Sequence, residues 1–109
     1  MKFITQIKEK QEQIKTIRRE LNDICDKITK TIEKNITDQQ TNKYTAYTVR
    51  HTEGFCFIIS LEIPTKTDLS NLIHVNKSFN KIKFHFFGPS EDIDPIMQIC
   101  KETLKSSQQ

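Results

Sequence analysis

The first third of the chain carries apolar side chains at heptad spacing. Two heptad positions are mostly apolar. One holds Ile7, Ile14, Leu21 and Ile28, and the other holds Phe3, Ile17 and Ile24 but is interrupted by Lys10 and Thr31. Apolar residues that alternate in this way form the a/d seam of a coiled coil. No glycine or proline precedes Gly54, so no residue in this region interrupts a helix. The pattern predicts an amphipathic helix over residues 1–36.

This helix has two alternative roles. Its apolar stripe can pair with a helix of another chain, as a homodimer or a heterodimer, or it can pack on the protein's own sheet. The two roles are compatible if they belong to different ends of the helix. We predict pairing with a partner helix through Ile7, Ile14, Ile17, Leu21, Ile24 and Ile28.

After residues 37–42, which are polar, the apolar pattern changes to the alternation of β-strands. Strands are predicted over residues 43–50, 55–63 and 81–87, with a shorter one over residues 72–75. A polar connection, residues 64–71, follows the second strand. Beyond Gly88 and Pro89, a final helix is predicted, which Ser90 or Asp94 can cap. Its buried stripe comprises Ile93, Ile96, Met97, Cys100 and Leu104.

These elements predict an α+β fold. A sheet of three or four antiparallel strands would carry the C-terminal helix on one face, in a small domain over residues 43–106. The N-terminal helix would project from this domain as a separate unit. A head of this size is near the limit at which a single core is stable, so a partner chain would help it.

The net charge of +3 comes from the N-terminal helix. Residues 1–36 hold nine basic and six acidic side chains, and the remainder holds eight of each. Cys25, Cys56 and Cys100 are widely spaced and odd in number, which indicates a reducing compartment, nuclear or cytoplasmic. No apolar run approaches the length of a membrane span, so no membrane partner is predicted. With only two glycines, the chain has no phosphate-binding loop.

No group of residues in the sequence has the spacing of a catalytic, cofactor or metal site. His51, His74 and His85 lack metal-ligand spacing, and the sequence predicts that His85 lies on the outer face of its strand. Cys56 lies between two phenylalanines and is interpreted as a packed apolar side chain. The acidic residues at 91, 92 and 94 precede a helix, where they favour its N-terminus. We predict a non-enzymatic protein without cofactor.

Nucleic acid is the alternative partner. Lys77, Lys81, Lys83, Lys101 and Lys105 form the best candidate patch, with Phe79 among them. Basic and aromatic side chains on strands can bind RNA backbone and bases. Nearby acidic residues cancel much of this charge, so a solvated surface is the favoured interpretation.

One stretch carries a resemblance to a known family. From Tyr47 to Pro64, a strand, a turn containing Gly54, an apolar strand and a proline-containing loop follow one another. With the helix before it, this order resembles the RWD-type heads of small coiled-coil kinetochore subunits, such as the monopolin subunit. The resemblance implies heterodimerisation through the helix, docking of a second protein on the head, and a role in chromosome segregation.

A second, weaker resemblance is to the protein subunits of a ribonucleoprotein. The turn from Arg50 to Gly54 and the order helix, strands, helix are similar to the small Alu-domain subunits of the signal recognition particle. That resemblance implies an RNA-binding subunit acting as a heterodimer. Both resemblances share dependence on a partner chain, and the leading hypothesis is a structural adaptor.

Overall fold

The computed structural model describes residues 2–51, 54–62 and 72–107. Helix α1 spans Lys2–Gln39 and leads into strands β1 (Tyr44–His51) and β2 (Gly54–Leu61). Strands β3 (Ile73–Phe79) and β4 (Ile82–Gly88) follow, and a 3-10 turn (Ser90–Asp92) precedes helix α2 (Ile93–Ser107). The predicted α+β arrangement is confirmed. The predicted extension of β2 to Ile63 and the connection over residues 64–71 lie outside the described residues.

Helix α1 is longer than the sequence indicated by three residues at its C-terminal end. The Gln40 N–H donates to the Ile36 carbonyl and prolongs the helical hydrogen bonding into the turn. Threonines along the helix do not break it, because their hydroxyls donate to carbonyls one turn earlier, as Thr31 does to Lys27 at 2.8 Å. The helix therefore runs without interruption from its tip into the α+β domain, which we call the head.

The sheet has the strand order β1-β2-β4-β3. The pairs β1–β2 and β3–β4 are antiparallel, whereas the central pair β2–β4 is parallel. The prediction of a fully antiparallel sheet is thus wrong for this pair. Phe84 and Phe86 give β4 a more apolar helix-facing side than that of β3, and both are almost fully buried. The central place in the sheet gives these rings the most complete burial, which explains why β3 takes the edge.

Both helices pack on one face of this sheet. The core unites Ile32 and Ile36 of α1 with Phe57 and Ile59 of β2 and with the stripe of α2. The predicted α2 stripe is confirmed, with Ile93 partly buried and the other members buried, and Ile99 joins it. The opposite face of the sheet has no helix on it within the described residues. Among the described residues the head therefore has two layers, and no helix covers the second face of the sheet, which we call the open face.

The β3–β4 connection is tighter than predicted. Asn80 and Lys81 have φ values of 50° and 65°, and Phe79 pairs with Ile82 across them. Two successive residues with positive φ form a type I′ turn, whose twist suits a two-residue hairpin. Strand β3 consequently continues to Phe79, four residues beyond the predicted end at Val75.

Candidate helix-pairing surface

Helix α1 is fixed to the head by its last third. Cys25 is the first fully buried residue along it. Thr29 and Thr48 of β1 share a hydrogen bond of 2.6 Å between their hydroxyls, and the Asn35 amide donates to the Thr103 hydroxyl of α2 at 2.9 Å. These bonds join α1 to both the sheet and α2. The helix is therefore held in one orientation where it meets the head.

Glu33 makes a further contact at the edge of the sheet. Its carboxylate accepts a hydrogen bond from the backbone N–H of Ala46 at 3.3 Å. Strand β1 is an edge strand, and unpaired N–H groups on an edge are a template for unwanted strand pairing. The Glu33 contact satisfies one such donor and ties α1 to β1.

Before Cys25, the apolar stripe of α1 is open to solvent. The exposed fractions are Phe3 79%, Ile4 55%, Ile7 57%, Ile14 48%, Ile17 63%, Leu21 39% and Ile24 54%. Runs of large exposed apolar side chains of this extent are typical of interaction surfaces. We call these seven residues the α1 stripe. Five of the six predicted interface residues belong to it.

Ile28, the sixth predicted interface residue, has a different position. It is partly buried and packs against the protein's own core. Here the helix has already reached the head, so the same heptad position that is exposed further out is covered by the head. Self-packing and a free seam thus occupy different ends of α1, as the sequence allowed. Ile28 also lines a groove that continues from the stripe.

That groove lies between α1 and α2 and has a volume of about 510 Å³. Ile28, Thr31 and Asn35 line its α1 side, and Ile99 and Thr103 line its α2 side. Its upper end begins one turn below Ile24, where the α1 stripe ends. The stripe and the groove therefore form one continuous surface along the helix.

The open face of the sheet brings together side chains that are far apart in sequence. The Nε2 atom of His74 and the Nδ1 atom of His85 are 2.9 Å apart, and His51 Nε2 is 3.7 Å from Cys56 Sγ. Burial, followed by the charges of His74, Lys83 and His51, lowers the pKa of His85. The predicted outward position of His85 is confirmed, but sequence spacing could not reveal either pair, because only the strand register creates them.

These pairs do not extend into a larger chemical cluster. In the part of the chain that the structure describes, no three or more His, Cys, Asp or Glu side chains converge on a point where a metal ion could bind. All three cysteines are buried, and none forms a disulfide. Burial raises the pKa of Cys25, and raises that of Cys100 to about 12. These two thiols therefore stay protonated, which suits packing rather than nucleophilic chemistry.

The acidic residues before α2 do more than favour a helix end. The Asp92 carboxylate accepts hydrogen bonds from the Tyr44 hydroxyl at 2.5 Å and from the Asn42 amide at 3.0 Å. No side-chain hydrogen bond caps the 3-10 turn, whose first flanking residue is Pro89. Ser90 belongs to this turn and Asp94 lies inside α2, so neither of the two predicted capping residues stands directly before α2. Asp92 instead ties the start of β1 to the start of α2.

The five lysines of the candidate nucleic-acid patch fall into separate groups. Lys77 and Lys101 line a pocket of about 250 Å³, in which the Lys101 Nζ lies 5.9 Å from the centre of the Phe79 ring. Lys81 and Lys83 line a different depression beside Gly54 and Phe55. Lys105 is exposed near the end of α2. The structure thus brings only two of the five lysines around the aromatic ring.

Among the helices of the described residues, none combines the length and the apolar character of a transmembrane segment. The chain matches no family model, no curated protein and no solved structure.

Proposed function

We propose that this protein is a non-enzymatic adaptor that assembles through the α1 stripe. The observation that carries the proposal is the exposure of seven large apolar side chains on a helix whose other end is fixed in the head. Exposed apolar area on this scale costs free energy in water, and a partner helix recovers it. The head then serves as a rigid base from which the helix projects.

The dimensions of the molecule support an assembly role. The structure extends 64 Å along its longest axis and 31 Å along the next. Residues 2–24, which precede the first fully buried residue, span roughly 34 Å at ~1.5 Å per residue. A projecting helix of this length gives a partner access to its apolar side without contact with the head.

The second part of the proposal concerns the head itself. It would dock another protein, and the open face of the sheet, where Tyr47 is 47% and Phe87 37% exposed, is the surface to test. A place in a kinetochore or chromosome-segregation complex stays a prediction from resemblance. RNA binding through Lys77 and Lys101 also stays a prediction, and a shift assay that loses binding with added salt would detect it.

The test of the proposal compares two double variants in an assembly assay. Ile14→Asp with Ile17→Asp places two charges in the stripe, far from the head. Thr5→Asp with Thr16→Asp adds the same charges on the opposite side of the helix and serves as the matched control. The wild type and both variants are tagged and incubated in cell extract with nuclease. Each is then analysed for stably bound protein chains, including untagged copies of this chain.

We expect the wild type and the Thr5/Thr16 control to retain the same bound chains, and the Ile14/Ile17 variant to lose them. Circular dichroism and unfolding of the purified variants verify that the head is intact. If all three proteins retain the same chains, or none retains any, the α1 stripe is not an assembly surface and the proposal fails.

A further inference from the structure

We infer that the α1 stripe pairs with a second copy of this chain, and that the two helices run antiparallel about a two-fold axis near residues 15 and 16. This inference rests on the proposed function, since it names the partner of the same surface. It follows from three features: the position of Lys10 in the seam, the register that fills the seam, and the place of the groove at its end.

Lys10 decides the direction of the two helices. It occupies the same heptad position as Phe3 and Ile17 and is the one charged residue in the seam between Phe3 and Ile28. In a parallel, in-register homodimer, equivalent residues face each other, so two Lys10 ammonium groups would meet inside the seam. Like charges placed opposite each other in such a layer disfavour that arrangement. An antiparallel pair avoids this contact.

The antiparallel arrangement sets a register. Each residue of one heptad position then faces a residue of the other position on the second helix, and the two residue numbers have a constant sum. With the axis between Lys15 and Thr16, the seam layers are Ile7 with Ile24, Lys10 with Leu21, and Ile14 with Ile17. Each layer occurs twice by symmetry, as an isologous interface requires.

Shifting the register by one heptad in either direction loses part of this match. A shift toward the tip pairs Phe3 with Leu21, so that Ile24 faces none of the described residues of the second helix. A shift toward the head places Phe3 and Ile7 opposite Asn35 and Thr31, which are polar. In the register centred between residues 15 and 16, every seam residue from Phe3 to Ile28 faces another residue of this set.

The flanking positions accept this register. The side chains that face each other beside the seam are Gln11 with Arg18, Gln13 with Glu20, and Gln6 with Lys27. None of these contacts places like charges together. The Lys10 ammonium can also reach toward Glu20 of the second copy, which neighbours Leu21, so the charge in the seam has an acidic side chain within its range.

The tip of each helix reaches the head of the other copy. In the inferred register, Phe3 faces the second copy's Ile28, at the upper end of the groove between α1 and α2. Phe3 is the most exposed apolar residue of the described chain, at 79%. The most exposed ring is thus brought to a part of the seam that has a groove beside it. In this register, the exposed part of one helix ends where the groove of the second copy begins.

Distances between spin labels on the full-length protein test the direction and the register together. Cysteines are introduced separately at Thr5 and Arg19, on the side of the helix away from the seam. The native cysteines are at most 2% exposed, so the label reacts with the introduced thiol. Pulsed electron resonance then measures the distance between the two labels of a dimer.

An antiparallel pair offsets residue 5 from its equivalent by about 32 Å along the axis, and residue 19 by about 10 Å, at ~1.5 Å per residue. We expect the Thr5→Cys distance to be the longer of the two, because the axial offsets differ by about 20 Å while the lateral separation of the outward-facing labels enters both distances. Equal distances at the two positions would indicate a parallel pair and overturn the inference. A purified protein without any label–label distance would overturn it as well.

A charge substitution gives an independent test. Leu21→Glu places a carboxylate opposite the second copy's Lys10 in the antiparallel pair, whereas Ile14→Glu places it opposite Ile17. We expect Leu21→Glu to weaken dimer formation at least tenfold less than Ile14→Glu. In a parallel pair both variants bring two carboxylates together, and equal losses would contradict the inference. A purified wild type that is monomeric would overturn self-pairing. If both variants then lose chains that the wild type binds in extract, the α1 stripe still serves assembly, but with a different chain.

Discussion

The same substitution should have a large effect on stability at one end of helix α1 and a small effect at the other. Ile36 is fully buried in the core, whereas Ile17 is 63% exposed. Replacing Ile36 by Ala removes three buried carbon groups, which lowers the free energy of unfolding by about 2.4 kcal/mol at ~0.8 kcal/mol each. The cavity that remains adds to this loss, so we expect a total of about 3–4 kcal/mol.

For Ile17→Ala the same reasoning gives a much smaller effect on the monomer. Only about a third of the Ile17 side chain is covered, so the lost burial is worth at most about 0.9 kcal/mol. Alanine is also the better helix former by roughly 0.4 kcal/mol, which offsets part of the loss. We therefore expect a net change within about 0.5 kcal/mol in a dilute sample.

Urea unfolding followed by circular dichroism measures both variants over a series of protein concentrations. The cost of Ile36→Ala should be the same at every concentration, because the residue belongs to the head. The cost of Ile17→Ala should grow with concentration, because assembly stabilises the folded wild type by mass action. A cost of Ile17→Ala that reaches 2 kcal/mol or more in dilute solution would refute the reasoning, since the residue would then be packed in the monomer.

Three further substitutions test the head. Tyr44→Phe removes the hydrogen bond to Asp92 and should lower the free energy of unfolding, measured in urea, by about 1–2 kcal/mol. Burial and the Asp92 hydrogen bond raise the pKa of Tyr44, so wild-type stability should also fall as pH rises above about 10, and it should fall less in the variant. Lys81→Gly should stabilise the head by about 0.5–1 kcal/mol, because a glycine after Asn80 adopts positive φ without a Cβ clash; a loss in urea unfolding would contradict the turn geometry. Because burial lowers the pKa of His85, stability should decline as pH falls below about 6.5, and His85→Gln should flatten that decline in acid titrations.

Much of the fold follows from local pattern. The heptad spacing and the absence of helix breakers predicted α1 within three residues, and the alternation around Phe57 and Phe84 predicted β2 and β4. These elements depend on the period of apolar side chains along one segment, which a single sequence contains. The stripe Ile96 to Leu104 of α2 was predicted for the same reason.

The strand order did not follow from the sequence, because it depends on which strand gains most from the central position. Val75 and Phe79 of β3 are only partly buried, while Phe84 and Phe86 of β4 are buried on both sides by neighbouring strands. The strand order depends on how the burial of β3 compares with that of β4, and the apolar pattern within either strand does not contain this information. The tight turn at Asn80 was missed because lysine rarely adopts positive φ.

In the candidate site, too, local pattern predicts one part, and the other part depends on the folded chain. The predicted interface contains five of the seven residues of the α1 stripe, without Phe3 and Ile4, and it also contains Ile28, which is covered by the head. The contact between His74 and His85 arises from a diagonal position on two strands, and the contact of Asp92 with Tyr44 joins residues 48 positions apart. Such contacts are properties of the folded chain alone.

Mass in solution tests the central claim, assembly through the α1 stripe, most directly. Light scattering over a concentration series should give about twice the chain mass of 12.8 kDa for the wild type and for Thr5→Asp/Thr16→Asp. Ile14→Asp/Ile17→Asp should remain a folded monomer. A wild-type dimer whose mass the Ile14/Ile17 variant leaves unchanged would contradict the claim, because the chains would then associate through another surface.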